Sequence, residues 1–525
     1  MFEIYVREGF LYTEEQLFKE FGYSSSQKRE FNKLIELLKN KKILRTRRKR
    51  GSKENYNDDA SLISEDDVDY DDFVGEEHGG KQYLFRFVGV FYYANRVVYV
   101  YPKYIKSSIV PKEEMKRVLK VLRKHQGKKI KLGVPEFVES LDEGSDLSEL
   151  SVLLFLLNDY ADNGIYSEDE RIIELNGEGT INWNLTVSQI DPLIIDNKPI
   201  YFDVYTDKNI DNEKNYCTRL HRYILSVSTY EMEEIGLSSI FGLPLLDLTE
   251  DDRDYFGDTD NILEKIDSEL RIQFDDRKKA VLKALELYVK IRDEKETIKA
   301  QKGEDTLDFF GTRAFHVVWE DVINDIYISQ KKITLEEIRN NYVSSLDYCA
   351  YMPDGSVINI AKETALDEII DKPAWNIKNK ISGKEETYWP SSTFIPDYLR
   401  FTDDGKEFYI LDAKYYVPQY FKKAKTDNLI IHQPGVQDIA KQYIYYMAYQ
   451  RLLRGNGIDV GHVKNFFVMP TEEESFEMGN VEIDFFKDFI PNVFNIRIKM
   501  LNASQLYNDY LGGSKHNVEE LAKLK

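Results

Sequence analysis

The sequence predicts an α/β protein of several domains, and three observations carry that prediction. The chain has 525 residues, more than one hydrophobic core usually serves. Its charge reverses abruptly near residue 50. Aromatic and β-branched runs alternate with stretches of helical periodicity through the rest of the chain, and towards the C-terminus a pair of such runs flanks an Asp-Gly turn. With 42% hydrophobic and 31% charged residues, a wholly disordered chain is excluded.

There are 71 basic against 92 acidic side chains, a net charge of −21. That argues against a protein that coats nucleic acid over its whole surface, because each phosphate contact wants a Lys or Arg. Apolar runs such as 152–157 stop far short of the roughly 20 residues of a bilayer span, and Met1-Phe2-Glu3-Ile4 does not begin a signal peptide. A soluble, cytoplasmic protein is expected. Two cysteines, Cys217 and Cys349, make neither a zinc cage nor a disulfide framework, so redox chemistry is not expected.

At the N-terminus, Thr13-Glu14-Glu15-Gln16 is a capping-box pattern, and Ser24-Ser25-Ser26 makes a second cap. The helix that follows repeats Phe31, Leu34, Ile35 and Leu38 at helical spacing, and the basic run from Lys41 to Arg50 reads as a strand and wing. Residues 1–50 therefore look like a winged helix, with Lys28, Arg29, Lys33, Arg45, Arg47 and Arg48 as candidate DNA contacts. The alternative is a small docking domain whose charges are only solvated. Residues 23–50 hold 11 basic residues against Glu30 and Glu36, whereas 51–80 hold 11 acidic residues against Lys53, the composition of a flexible linker.

Residues 81–275 read as a mixed α/β scaffold or partner-docking domain. It begins with strands over 83–93 and 96–101 around Ala94-Asn95, continues with helices at 111–125 and 147–162, and adds strands at 172–175 and 181–187. Gly177-Glu178-Gly179 lacks the remaining glycines of a dinucleotide loop, and the sequence has no G-x-x-x-x-G-K-[ST] phosphate loop, so any nucleotide hydrolysis must come from another protein. A connecting helix with Leu282, Leu285 and Val289 on one face falls within 276–304. A last domain spans 305–505, and 506–525 is left as a tail.

The chemistry concentrates in Phe394-Ile395-Pro396-Asp397, Asp403-Asp404-Gly405 and Phe408 to Lys414. The Asp-Gly turn predicts a hairpin, so Asp397 and Asp412 lie on neighbouring strands, and alternation puts Lys414 on the face of Asp412. Two carboxylates with the Ala413 carbonyl suffice to hold Mg²⁺, a hard cation that keeps several waters. An ammonium beside them can orient water or stabilise charge during attack on a phosphodiester.

Pro396-Asp397 followed by Asp412-Ala413-Lys414 resembles the PD-(D/E)xK nuclease signature. Glu320, beside the apolar stripe of residues 315, 318, 319 and 322, resembles the acidic residue of the first core helix, which adds a metal or water contact. Gln442 and Tyr446, one turn apart, resemble the Q-x-x-x-Y element that orients substrate. Asn176-Gly177-Glu178-Gly179, Thr218-Arg219-Leu220-His221, Leu411 to Tyr416 and Gln433-Pro434-Gly435-Val436-Gln437-Asp438 look like the LlaJI family of restriction endonucleases, similar in plan to McrC, the nuclease subunit of McrBC systems.

That resemblance implies a multidomain α/β chain with a C-terminal restriction-endonuclease-like α/β/α core and mixed sheet, cleaving double-stranded DNA in phage defence. It implies Mg²⁺, which Mn²⁺ can replace, bound by Asp397, Asp412, Glu320 and Ala413, and a McrB-like AAA+ GTPase ring as partner. Two alternatives stay open: a non-catalytic DNA-binding or GTPase-stimulating scaffold, and a stand-alone nuclease.

Overall fold

The computed structural model describes residues 2–47, 82–106, 111–132, 148–302, 305–352, 354–378, 384–421, 429–488 and 495–525. The acidic stretch 51–80 and Arg48 lie outside them. The chain divides into two compact units, one of residues 91–95 and 126–310, the other of residues 2–90, 96–125 and 311–525.

The second unit begins with strand β1 (Phe2–Arg7), strand β2 (Leu11–Thr13) and helix α1 (Glu14–Glu20). Thr13 caps α1 as its pattern predicts: its hydroxyl accepts from the Gln16 N–H at 3.1 Å, and Gln16 Oε1 accepts from the Thr13 N–H at 2.8 Å. Helix α2 (Lys28–Asn40) buries all four residues of its predicted stripe. Strand β3 (Leu44–Arg47) then pairs with β4 (Gln82–Phe85), which also pairs with β2. The run 83–93, expected as one strand, is interrupted at Arg86-Phe87: its start, β4, is the centre of the N-terminal sheet, where pairing to two edges satisfies both rows of its backbone groups, and Val88–Tyr93 is a separate strand of another sheet. Strand β5 (Arg96–Tyr101) follows Ala94-Asn95, whose φ values of 47° and 62° make the expected tight turn, and it pairs in parallel with β1 from Phe2↔Arg96 to Arg7↔Tyr101.

The first unit is built on the helices Glu149–Asn163, Tyr216–Glu234, Thr259–Ile272 and Asp276–Lys302. Leu282, Leu285 and Val289 of the last are buried as their spacing predicts. A three-stranded antiparallel sheet joins Asp169–Leu175, Tyr205–Asp211 and Thr180–Ile181. The strand expected over 181–187 stops at Ile181. Trp183–Gln189 is a helix instead, started by Asn182, whose side chain accepts from the Leu185 N–H at 3.0 Å. The Asn-Gly-Glu-Gly stretch shapes this sheet: a Cβ on Gly179 would come within 2.3 Å of the Asp207 carbonyl oxygen.

The second unit closes on a mixed five-stranded sheet. Strands β6 (Tyr398–Phe401) and β7 (Phe408–Ala413) form the predicted hairpin, with β6 against β7 from Tyr398↔Leu411 to Phe401↔Phe408. Its turn needs Gly405, at φ 69°, where an added Cβ would meet Val343 Cγ1 at 2.7 Å. Strand β7 runs parallel to β8 (Val463–Thr471), β8 runs parallel to β10 (Ile496–Asn502), and β9 (Phe476–Val481) pairs antiparallel with β10 at the edge.

Helix α3 (Phe315–Ile326) fastens to this sheet through Trp319, whose Nε1 donates to the Val468 carbonyl at 3.1 Å. Helix α4 (Val436–Gly455) is the crossover between the parallel pair β7 and β8. It packs Tyr443, Tyr445, Tyr446 and Tyr449 into one core with Leu399, Phe401, Phe408, Ile410, Phe467 and Met469. Among the described residues, no helix is long and apolar enough to cross a membrane.

Candidate active site

The hairpin and α4 build the site between them. Phe408 and Ile410 face the core shared with α4, so strand alternation turns Asp412 and then Lys414 to the same side. Tyr398 pairs with Leu411, so Asp397, one residue earlier, stands opposite Asp412. Asp397 Oδ2 accepts from the Ala413 N–H at 3.0 Å. Gln442 Nε2 donates to Asp412 Oδ2 at 2.9 Å, and Lys414 Nζ lies 3.3 Å from Asp412 Oδ1. The sequence-predicted trio of Asp397, Asp412 and Lys414 is therefore brought together, with Gln442 behind it.

The electrostatics follow from that crowding. Burial, and then the charge of Asp412, push the Asp397 carboxyl well above the usual carboxylate range. Burial works to lower Lys414, but Asp412, Asp438 and Asp397 outweigh it and hold the ammonium above its ordinary value.

Two mutually repelling carboxylates in a poorly solvated corner fit a divalent cation. Gln442 Oε1 beside them is a buried oxygen with no hydrogen-bond partner among the described residues. Among those residues no group of three or more acidic, His or Cys side chains gathers as a cage. The donor set is Asp397, Asp412 and the Ala413 carbonyl, sparse enough to suit a Mg²⁺ that retains much of its water.

Other candidates are placed differently. Glu320 pairs with Lys331 Nζ at 2.8 Å rather than meeting the aspartates, and Lys331 is in turn one of the charges acting on Asp397. Gln442 is fully buried, and its amide nitrogen holds Asp412. Tyr445 and Tyr446 both pack in the core; Tyr446 meets Gln450, and Tyr445 donates to the Ile395 carbonyl at 3.3 Å and feels Asp412 and Asp397. A helix carries residues three and four positions on to either side of the same face, and here both rings pack in the core while their hydroxyls meet different groups.

Sequence reading missed Asp438, 3.1 Å from Lys414 Nζ, although Asp438 and Gln442 at i and i+4 share a helix face. Arg219 is engaged by Asp251 and stacks on Tyr255 at 3.6 Å, and His221 is wholly buried. In the N-terminal module, Lys28 pairs with Glu14 and lies 5.0 Å and 5.1 Å over the rings of Phe18 and Phe31, so its charge is committed internally. Arg29 and Arg45 are exposed, Lys33 is partly buried, and Arg47 closes β3.

A component of the type II restriction enzyme BsuMI, YdjA of Bacillus subtilis (strain 168), is 27% identical over 478 residues, which cover 88% of this chain and 87% of that protein. Among solved structures, the chain is similar to a half-complex from a tetradecameric assembly of Thermococcus gammatolerans McrB AAA+ hexamers with bound McrC. The identity there is 13% and the TM-score 0.34, over 97% of this chain and 99% of that one. A cryo-EM structure of the Thermococcus gammatolerans McrBC complex gives 14% identity and a TM-score of 0.21, over 55% of this chain and 79% of that one. Matching its pattern over residues 87–344 and 356–501, the chain belongs to the LlaJI restriction endonuclease family.

Proposed function

We propose that this chain is the nuclease subunit of a restriction system, hydrolysing DNA phosphodiesters with Mg²⁺ at a PD-(D/E)xK-type site and activated by an AAA+ GTPase partner. The observation that carries this reading is the meeting of Asp397, Asp412, Lys414 and Gln442 at the end of β7: Gln442 and Lys414 lie within hydrogen-bond or ion-pair distance of Asp412, and Asp397 accepts from the next N–H, of Ala413.

In this reading Asp397, Asp412 and the Ala413 carbonyl hold the cation, with Glu320 contributing through Lys331. Bound Mg²⁺, or Mn²⁺ in its place, supplies Lewis-acid polarisation of the phosphoryl oxygens and makes water a better nucleophile at neutral pH. Lys414, charged throughout, draws the scissile phosphate and the attacking water into line and offsets the negative charge that builds on the phosphoryl group. Gln442 keeps Asp412 in the orientation that this requires.

The mixed sheet with α3 and α4 is read as a restriction-endonuclease-like α/β/α core. Helix α2 and the basic strand β3 supply the elements of a winged-helix-like module, with Arg29, Lys33 and Arg45 as DNA contacts. Two features support an AAA+ partner. The sequence has no phosphate loop of its own. The central unit leaves Leu175, Trp183, Val187, Ile194 and Phe202 between 54% and 76% exposed, apolar side chains of the kind that a partner covers.

The test is plasmid cleavage by the wild-type chain and by Asp412→Ala, in Mg²⁺ or EDTA, with and without the neighbouring-gene AAA+ protein and GTP. Cleavage is expected from the wild type alone, and only with metal, partner and GTP present. Cleavage without the partner favours the stand-alone enzyme. Full activity in Asp412→Ala overturns the site assignment, and no cleavage of methylated or unmethylated plasmid favours the scaffold.

A further inference from the structure

The residue that follows Lys414 is gripped by the opposite end of the chain. Tyr415 Oη donates to Glu8 Oε2 at 2.6 Å. The Lys103 N–H reaches the same Glu8 oxygen at 3.2 Å and the Tyr415 hydroxyl at 3.1 Å. Glu8 is itself anchored: its N–H donates to the Tyr101 carbonyl at 2.9 Å, and the next N–H, of Gly9, donates to the Phe85 carbonyl at 3.1 Å. Arg7 Nε holds the Lys103 carbonyl at 3.2 Å, and the Lys103 ammonium sits 4.6 Å over the Tyr415 ring. That ring is buried and also meets Phe315, the first residue of α3, at 5.1 Å.

These contacts bracket the lysine of the proposed site. The Lys414 N–H donates to the Val468 carbonyl at 3.0 Å, just past the end of β7, and the next fixed point along the chain is the Tyr415 hydroxyl. Lys414 has a long flexible side chain, so where its ammonium stands depends on how tightly its backbone is held from both sides. Glu8 lies outside the range matched by the family pattern and Tyr415 lies within it, so the grip comes from a segment of the chain that the family pattern does not cover.

We propose that Glu8 and Tyr415 form a positioning clamp, through which the N-terminal sheet sets where Lys414 and the Ala413 carbonyl stand against Asp397 and Asp412. The catalytic side of this inference rests on the nuclease reading above. It makes the N-terminal module a working component of the cleavage site as well as a candidate DNA contact.

The experiment compares Tyr415→Phe, Glu8→Ala, Glu8→Gln and the Tyr415→Phe/Glu8→Ala double variant in the full chain, with its AAA+ partner and GTP. Three quantities are read: the single-turnover rate, the plasmid concentration at half-saturation, and hydrogen exchange of the peptide covering residues 408–416. Tyr415→Phe and Glu8→Ala are expected to slow cleavage about ten- to hundredfold, the loss of a hydrogen bond to a charged group, with half-saturation unchanged. Both should speed exchange in that peptide. Glu8→Gln keeps an acceptor oxygen and should restore the rate to within about threefold, and the double variant should be no slower than the worse single one.

Wild-type rates and exchange in Tyr415→Phe and Glu8→Ala overturn the clamp. So does a lowered melting temperature without either change, or a loss that Glu8→Gln does not relieve. If the wild-type chain does not cleave at all, the nuclease reading falls, and the exchange pattern decides the clamp by itself.

Discussion

Replacing Gln442 by Leu separates two roles for this residue that have different kinetic signatures. Gln442 has no exposed surface, and its amide nitrogen stands 2.9 Å from Asp412 Oδ2. Leucine keeps the volume and removes both the donor and the partnerless Oε1, so the fold should be preserved and the melting temperature should move by only a few degrees. What is lost is one hydrogen bond to a buried carboxylate, about 1.5 to 3 kcal/mol. At about 1.4 kcal/mol per factor of ten, and with that bond needed to hold Asp412 in its working orientation, the single-turnover cleavage rate should fall roughly ten- to hundredfold. With Gln442 acting only through Asp412, half-saturation by plasmid should not change. The assay is single-turnover conversion of supercoiled plasmid over a range of plasmid and Mg²⁺ concentrations. A raised half-saturation with an unchanged maximal rate would place Gln442 on the substrate and refute the reasoning.

Three further outcomes are expected. Tyr446→Phe should cleave within about twofold of wild type. Tyr445→Phe, which loses its bond to the Ile395 carbonyl, should slow about two- to tenfold, as for a neutral hydrogen bond, and equal effects in the same plasmid assay would return Tyr446 to the site. Burial, and then the charge of Arg277, lower the pKa of His221 from 6.5 to about 3, and its Nδ1 accepts from the Tyr166 N–H at 3.1 Å. The unfolded chain binds a proton below pH 6.5 that the folded one refuses. This residue therefore costs no stability above that pH and costs progressively more as pH falls towards 3, reaching about 5 kcal/mol in all. Urea unfolding of wild type against His221→Gln between about pH 6.5 and 5 should differ in slope by about 2 kcal/mol over that range, and parallel profiles would contradict the assignment. Trp183→Ala and Phe202→Ala should each weaken binding of the AAA+ protein in a sedimentation or pull-down titration without altering the chain's melting temperature, and unchanged affinity in the pair would remove this surface from the docking proposal.

The features of the fold that were legible from sequence are those decided within a few residues. The Thr13 capping box, the stripe of Phe31, Leu34, Ile35 and Leu38, the Ala94-Asn95 turn and the Asp403 to Gly405 turn each depend on local backbone chemistry, and each is found where the residues predict it. The meeting of Asp397 with Asp412 is legible for the same reason, because a tight hairpin and the two-residue alternation of a strand leave one geometry.

What only the tertiary structure decided are choices between locally equivalent options. Residues 183–189 are apolar enough for a strand, and the Asn182 cap, with Thr186 accepting from the Tyr205 N–H at 2.9 Å, makes them a helix. Gln82–Phe85 joins β2 and β3 across an acidic stretch whose composition hides the continuity. Tyr445 and Tyr446 are equivalent one turn from Gln442, until packing sets one beside Gln450 and the other near the aspartates. Lys331 and Glu8 belong to no motif, and Asp438 closes one without being marked there as a partner of Lys414. They reach the site only because elements distant in sequence pack together, and a charge acts on whatever lies within a few ångströms of it, however far along the chain that group was written.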